Sequence, residues 1–118
     1  MLTITINRKP LSANAAWQGR RYSSPAKKAY EAALRLLLPN RAIPGPYYRS
    51  GYDFYLVNFS RTDAGKLEKV LTDCIVKRGI IKDDRYILEY RIRKFKAAVD
   101  KIVIRIEGCG LDIGAEAS

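Results

Sequence analysis

The sequence predicts an α+β (mixed α/β) fold, a single small domain in which one mixed β-sheet is covered by two main helices in the order βαβαββ. Three observations carry that expectation. "LTITIN", "RYILEYRIRKF" and "KIVIRI" alternate apolar and polar residues with the two-residue period of strands. Two other stretches space their apolar residues as helices do. The two kinds of segment alternate along most of the chain, an arrangement that buries both only as helices layered on a sheet. At 118 residues, 47% hydrophobic and 29% charged, the chain suits one globular domain.

Taken in order, "LTITIN" puts Leu2, Ile4 and Ile6 on one face of a first strand. "RKPLSANAAWQGRRYSS" reads as a long polar loop, and a connection of that length is usually functional. Ser24 before Pro25 is a helix start, serine as N-cap and proline in the first turn. The helix "PAKKAYEAALRLLL" sets Ala26, Ala29, Tyr30, Ala33, Leu34 and Leu37 on one stripe, and "PN" ends it. "NRAIPGPYYRSG" is a breaker-rich link. "YDFYLVNF", residues 52–59, is apolar on both faces and is expected to be a central strand.

A second helix over 66–78 follows, with Leu67, Val70, Leu71, Cys74 and Ile75 at helical spacing and Gly79 as its stop. The last two strands, separated by "KAAVD", are expected to form a hairpin, with Arg91, Arg93, Lys101 and Arg105 on the outward face. Strand order is not fixed by the pattern. The folded domain is expected over 1–107 and a loose tail over 108–118.

Composition narrows the function. Lys and Arg number 22 against 12 Asp and Glu, a net charge of +10, which favours a polyanionic partner, nucleic acid first. A small RNA-binding protein is a weaker alternative, since no aromatic-glycine motif of an RNA-reading sheet is present. No apolar run nears the roughly 20 residues that span a bilayer, and "MLTITINRKP" lacks a signal-peptide layout, so no membrane partner and a cytoplasmic location are expected. With no histidine and two distant cysteines, Zn sites and Ser-His or Cys-His catalysis are excluded; chemistry must run on carboxylates, lysines and a hard metal ion.

Residues 61–84, "RTDAGKLEKVLTDCIVKRGIIKDD", gather Asp63, Asp73, Asp83 and Asp84 among lysines. Two readings stay open on spacing alone. Asp63 caps the helix, Lys69 and Asp73 pair one turn apart, and Asp83-Asp84 sit in a turn. Alternatively the acids converge as the next strand returns, and their repulsion is relieved by a hard cation. Trp17 and Tyr22 in the long loop either anchor it to the core or stack on exposed bases.

The stretch resembles the RusA-type Holliday junction resolvases of phages and prophages. Asp63 falls on that family's first motif acid, Leu67 on its apolar position and Lys69 on its lysine; Asp73, Gly79, Asp83 and Asp84 follow in register, with "GIIKDD" the closest fit. "KPLSAN" and "RRYSSPAKKAY" are also similar to the family. The resemblance implies a homodimer that binds four-way DNA junctions and nicks two opposed strands, with Mg²⁺ as cofactor and Mn²⁺ as the alternative. It makes Asp63, Lys69 and Asp84 catalytic, and Asp63 and Asp84 metal-linked, with Asp83 or Asp73 as further ligands. Expected phosphate contacts are Arg20 and Arg21 in the loop, Lys27 on the first helix, Arg61 and Lys66 about the turn, Lys77, Arg78 and Lys82 further on, and Arg91 and Arg93 on the next strand. The sequence departs from the family where its second acid and following asparagine fall on Gly65 and Lys66. That exchange leaves room for an impaired or inactive dimeric protein that binds branched DNA without cutting it.

Overall fold

The computed structural model describes residues 1–18 and 22–110, with only the backbone for 17–18 and 22–23. The elements are β1 (Leu2–Ile6), a one-turn helix α1 (Ala13–Ala16), the short strands β2 (Trp17–Gln18) and β3 (Tyr22–Ser23), α2 (Pro25–Leu37), β4 (Tyr47–Leu56), α3 (Ala64–Arg78), β5 (Ile87–Lys96) and β6 (Lys101–Cys109). The principal elements keep the expected order, and the long loop adds α1 and the antiparallel β2–β3 ribbon.

Both helix starts follow from their capping residues. Ser24 Oγ accepts from the Lys27 N–H at 3.1 Å and donates to the Ala15 carbonyl at 2.6 Å, tying α2 to the end of α1. At the other end Leu38 is extended, as a residue before proline must be, so α2 stops there. Of the expected stripe, Tyr30 and Leu34 are buried, joined by Lys27 and by Leu38 behind, whereas Ala26 and Ala29 are exposed, Ala33 is half-buried and Leu37 is 52% exposed. The stripe is rotated because the Lys27 stem packs inward while its ammonium meets Glu31 at 3.3 Å. α3 begins on Asp63 and ends on Gly79, whose φ of 85° lets its N–H reach back to the Ile75 and Val76 carbonyls.

The sheet runs β1-β6-β4-β5, and two expectations are corrected by it. β5 and β6 are not a hairpin. β5 lies parallel to β4 on one side, and β6 lies antiparallel to β4 on the other, with β1 beyond it. The connection between them crosses the end of β4 and is pinned there: the Ala97 N–H donates to the Leu56 carbonyl at 3.0 Å, and Asp100 accepts from the Val57 N–H at 3.0 Å. β4 is central as expected, yet it starts at Tyr47, inside the stretch read as a link, immediately after Pro46. β6 continues past 107 through Gly108, where a Cβ would overlap the Pro44 carbonyl oxygen.

One face of this sheet, with Tyr52, Phe54, Ile102, Ile104 and Ile106, packs against Leu67, Leu71 and Ile75 of α3 and Leu34 of α2 as the core. No described helix covers the other face. Its centre is Asp53, whose side chain is 3% exposed and is held by Arg93 at 2.8 Å and Arg105 at 2.7 Å. No helix is long and apolar enough to cross a membrane.

A basic cleft and a separate group of acids

The turn from β4 into α3 places the first predicted acid. Lys94 on β5 donates to the carbonyls of Phe59 and Thr62 at 2.9 and 3.0 Å and lies over the Phe59 ring, so the turn is stapled to the sheet. Thr62 Oγ1 closes it further by donating to Asn58 O at 2.7 Å. Asp63 then caps α3, its Oδ1 accepting from the Gly65 N–H at 2.9 Å. The capping reading of Asp63 is therefore met. Its carboxylate also lines a cavity of about 730 Å³, between the segment after β1, the start of α2 and the start of α3. Arg61 and Lys66, both predicted phosphate contacts, share that cavity with Arg8 and Lys9. Sequence reading missed Arg8, Lys9 and Asp100 because they come from loops that only the β1–β6 pairing brings together.

Asp84 lies elsewhere. Glu68, Asp73 and Asp84 act on one another across the flank of α3 beside Tyr90. Asp63 and Asp73 are separated by ten residues, about 15 Å of helical rise. The parallel course of β5 explains the separation: it enters beside Tyr48, whereas Asp63 follows the opposite end of β4. Asp83 caps the 3₁₀ turn Asp84–Tyr86 by accepting from the Arg85 N–H at 3.1 Å.

That backbone hydrogen bond, with one from Asp84, holds Asp83 below the usual carboxylate range. Asp84 is raised, first by its hydrogen bond to Asp83 and then by desolvation and the Asp83 and Asp73 charges. Burial chiefly raises Glu68, aided by Asp73 and Asp84, although Thr72 donates to it at 3.0 Å. Thr72 in turn is hydrogen-bonded to the buried Tyr52 hydroxyl at 2.9 Å, so a chain of polar groups runs from the core to this carboxylate. Burial and the same acids push Tyr90 up to about 12. Glu68 was not singled out from the sequence, though its four-residue offset from Thr72 was there to read.

The remaining predicted contacts are dispersed. Lys69, Lys82 and Arg91 are exposed. Lys27 is buried against Glu31, which Lys77 also meets at 2.9 Å. Arg78 donates to Leu38 O, and Arg93 is engaged by Asp53. Arg20 and Arg21 lie outside the described residues, as do the side chains of Trp17 and Tyr22.

A small two-layer domain with a cation-lined cleft at a helix start belongs among proteins that handle nucleic acid strands. The family model for endodeoxyribonuclease RusA matches residues 7–107, and the chain belongs to that family. Membership implies an endonuclease that resolves Holliday junctions and binds branched DNA. Comparison with individually curated proteins gives no match. The family's nucleases depend on a divalent metal. Among the described residues, however, no three acid or cysteine side chains converge in a way that could hold one. Asp63 with its capping role and Asp84 with Glu68 and Asp73 are two places, so the acids as arranged in one chain do not fit a metal site.

Proposed function

We propose that the chain works as a homodimer on four-way DNA junctions, cutting opposed strands by paired, symmetric nicks in recombination and repair, with Asp63, Lys69 and Asp84 as its catalytic residues. The observation that carries this is the cleft at the start of α3, where the family's first motif acid stands among Arg8, Lys9, Arg61 and Lys66. Those cations attract and hold the phosphate backbone, and their contribution falls steeply with salt as counterions are released less favourably. Lys69, exposed one turn into α3, supplies positive charge to a phosphate lying along the helix. A two-fold enzyme matches a substrate that must be cut on two equivalent strands. Mg²⁺, or Mn²⁺ in its place, is the ion this reading requires. No step is assigned to it, because the acids do not assemble around a common point.

The test is a synthetic four-way junction incubated with and without each ion. Symmetric nicking with the ion is expected, and Asp63→Asn and Asp84→Asn should each lose it while retaining junction binding. Unchanged cutting by both variants would remove these acids from the active site.

One observation favours a second reading, a branched-DNA-binding protein that cuts poorly or not at all. A Cβ built on Gly65 lies 3.3 Å from Asp63 Oδ1, so an acid at this position would stand directly beside Asp63. The natural chain has no carboxylate there and a lysine next to it, which removes one ligand and adds an opposing charge. The double substitution Gly65→Asp with Lys66→Asn should raise metal-dependent cutting by at least about tenfold under this reading. Equal rates for the double variant and the natural chain would dismiss it.

A further inference from the structure

β5 is an edge of the sheet. It is ten residues long and pairs with β4 on one side, and among the described residues no strand lies on the other. In a parallel pair alternate residues bond the neighbour, so every second N–H and C=O of β5 points away from β4 along a free edge. The other edge strand, β1, has five residues and no charge. β5 also leaves two large apolar side chains in the open, Leu88 at 41% and Tyr90 at 39% exposure. Charge often guards such an edge, but a guard needs no order, and the charge here is ordered. Asp83 and Asp84 stand just before β5 and Glu89 near its start, whereas Arg91, Arg93 and Lys96 occupy its second half. Glu89 stays exposed although it meets Arg49 at 3.3 Å, and Arg91 is exposed with no ion pair among the described residues. A strand with acids at one end and cations at the other repels a parallel copy of itself and attracts an antiparallel one.

We infer that β5 pairs antiparallel with β5 of a second copy, joining the two sheets into one across a two-fold axis at Tyr90. The inference rests on the homodimer reading above and names its interface. An axis at Tyr90 sets Glu89 opposite Arg91 of the second copy, twice over by symmetry, and turns Leu88 toward the second copy's Ile92. An axis at Glu89 or at Arg91 sets like charges face to face. In the joined sheet the helices of both copies cover the same side. The two basic clefts then face one way, as a substrate cut on two equivalent strands requires.

Sedimentation equilibrium of the full chain reads the association. Dimers are expected, and Arg91→Glu and Glu89→Arg should each weaken association at least about tenfold. The double variant Glu89→Arg with Arg91→Glu should regain most of it, a rescue that neither misfolding nor a role outside the interface produces. The second readout is covalent. In a Cys109→Ser background, Tyr90→Cys should give a disulfide-linked dimer with oxidised glutathione, and Leu36→Cys, on the exposed side of α2, should not. Dimers indifferent to both charge reversals, or a double variant no tighter than the single ones, overturn the β5 interface and leave the homodimer standing. Equal linking of the two cysteine variants overturns the interface as well. A chain that stays monomeric with and without a four-way junction overturns both. Dimers that pass these tests but do not cut the junction support the interface and overturn only the nuclease reading.

Discussion

On the open face of the sheet a single acid, Asp53, sits under two arginines; on the flank of α3, the charges of Glu68, Asp73 and Asp84 act on one another without converging on a common point. Burial alone would raise Asp53, yet hydrogen bonds and charge from Arg93 and Arg105 outweigh it, and its carboxyl lies below the usual range. Glu68 and Asp84 have the contrary balance: desolvation and like charges hold them above it. The difference separates two uses of negative charge. The first is satisfied within the chain and fastens β4 to both neighbouring strands. The second is left short of positive charge by the chain itself, in a protein that carries an excess of it elsewhere.

The comparison is best broken by replacing a carboxylate with its amide in each place. Asp53→Asn leaves two arginines facing a neutral group and should cost about 2 kcal/mol of unfolding free energy, read from urea denaturation. The arginines are 44% exposed and can turn to water, so the cost stays below that of a fully enclosed pair.

A smaller effect is expected in the acid limb of stability. A lowered carboxyl contributes stability above its unfolded value, 3.8, and loses it as pH falls through the folded value. Melting temperatures between pH 5 and pH 2 should therefore fall less steeply in Asp53→Asn than in the natural chain. Parallel curves would show that the two arginines do not hold its proton off.

The smallest effect belongs to Glu68→Gln. A raised carboxyl contributes stability below its unfolded value, 4.5, and loses it as pH rises through the folded value, so the ionised group carries a standing cost at neutral pH. The glutamine keeps an acceptor for Thr72 and should raise the melting temperature slightly at pH 7. A fall of the size expected for Asp53→Asn would place the two regions in one class.

Much of the architecture was legible because local chemistry and tertiary packing agree. Ser24-Pro25, Asp63 and Gly79 mark helix ends that the backbone respects, and the double-sided apolar run of β4 correctly implied a central strand. The start of β4 was hidden because Pro44, Pro46 and Gly51 read as breakers. In fact Pro46 only precedes the strand, and at Gly51 a side chain would meet no more than ordinary contact. The false hairpin had another cause. β5 and β6 are neighbours in sequence, and alternation says which face a residue takes but not which strand it pairs with. The motif drew attention to Asp63 and Asp84 as a pair, and only the parallel pairing of β5 separates them. The cleft was legible on one side only, through Arg61, Asp63 and Lys66; its other walls come from residues 8–15 and from Asp100.

The pairing of Leu2 with Ile106 sets an order of events. Among the described strands β1 pairs with β6 alone, so the segment carrying Arg8 and Lys9 is not fixed beside α3 by the sheet until β6 has been made. A ribosome-bound chain ending before β6 already contains Asp63, Lys69 and Asp84 but lacks the strand that holds the cleft shut on its N-terminal side. Whatever this domain does to DNA, it acquires the grip to do it only once β6 is in place.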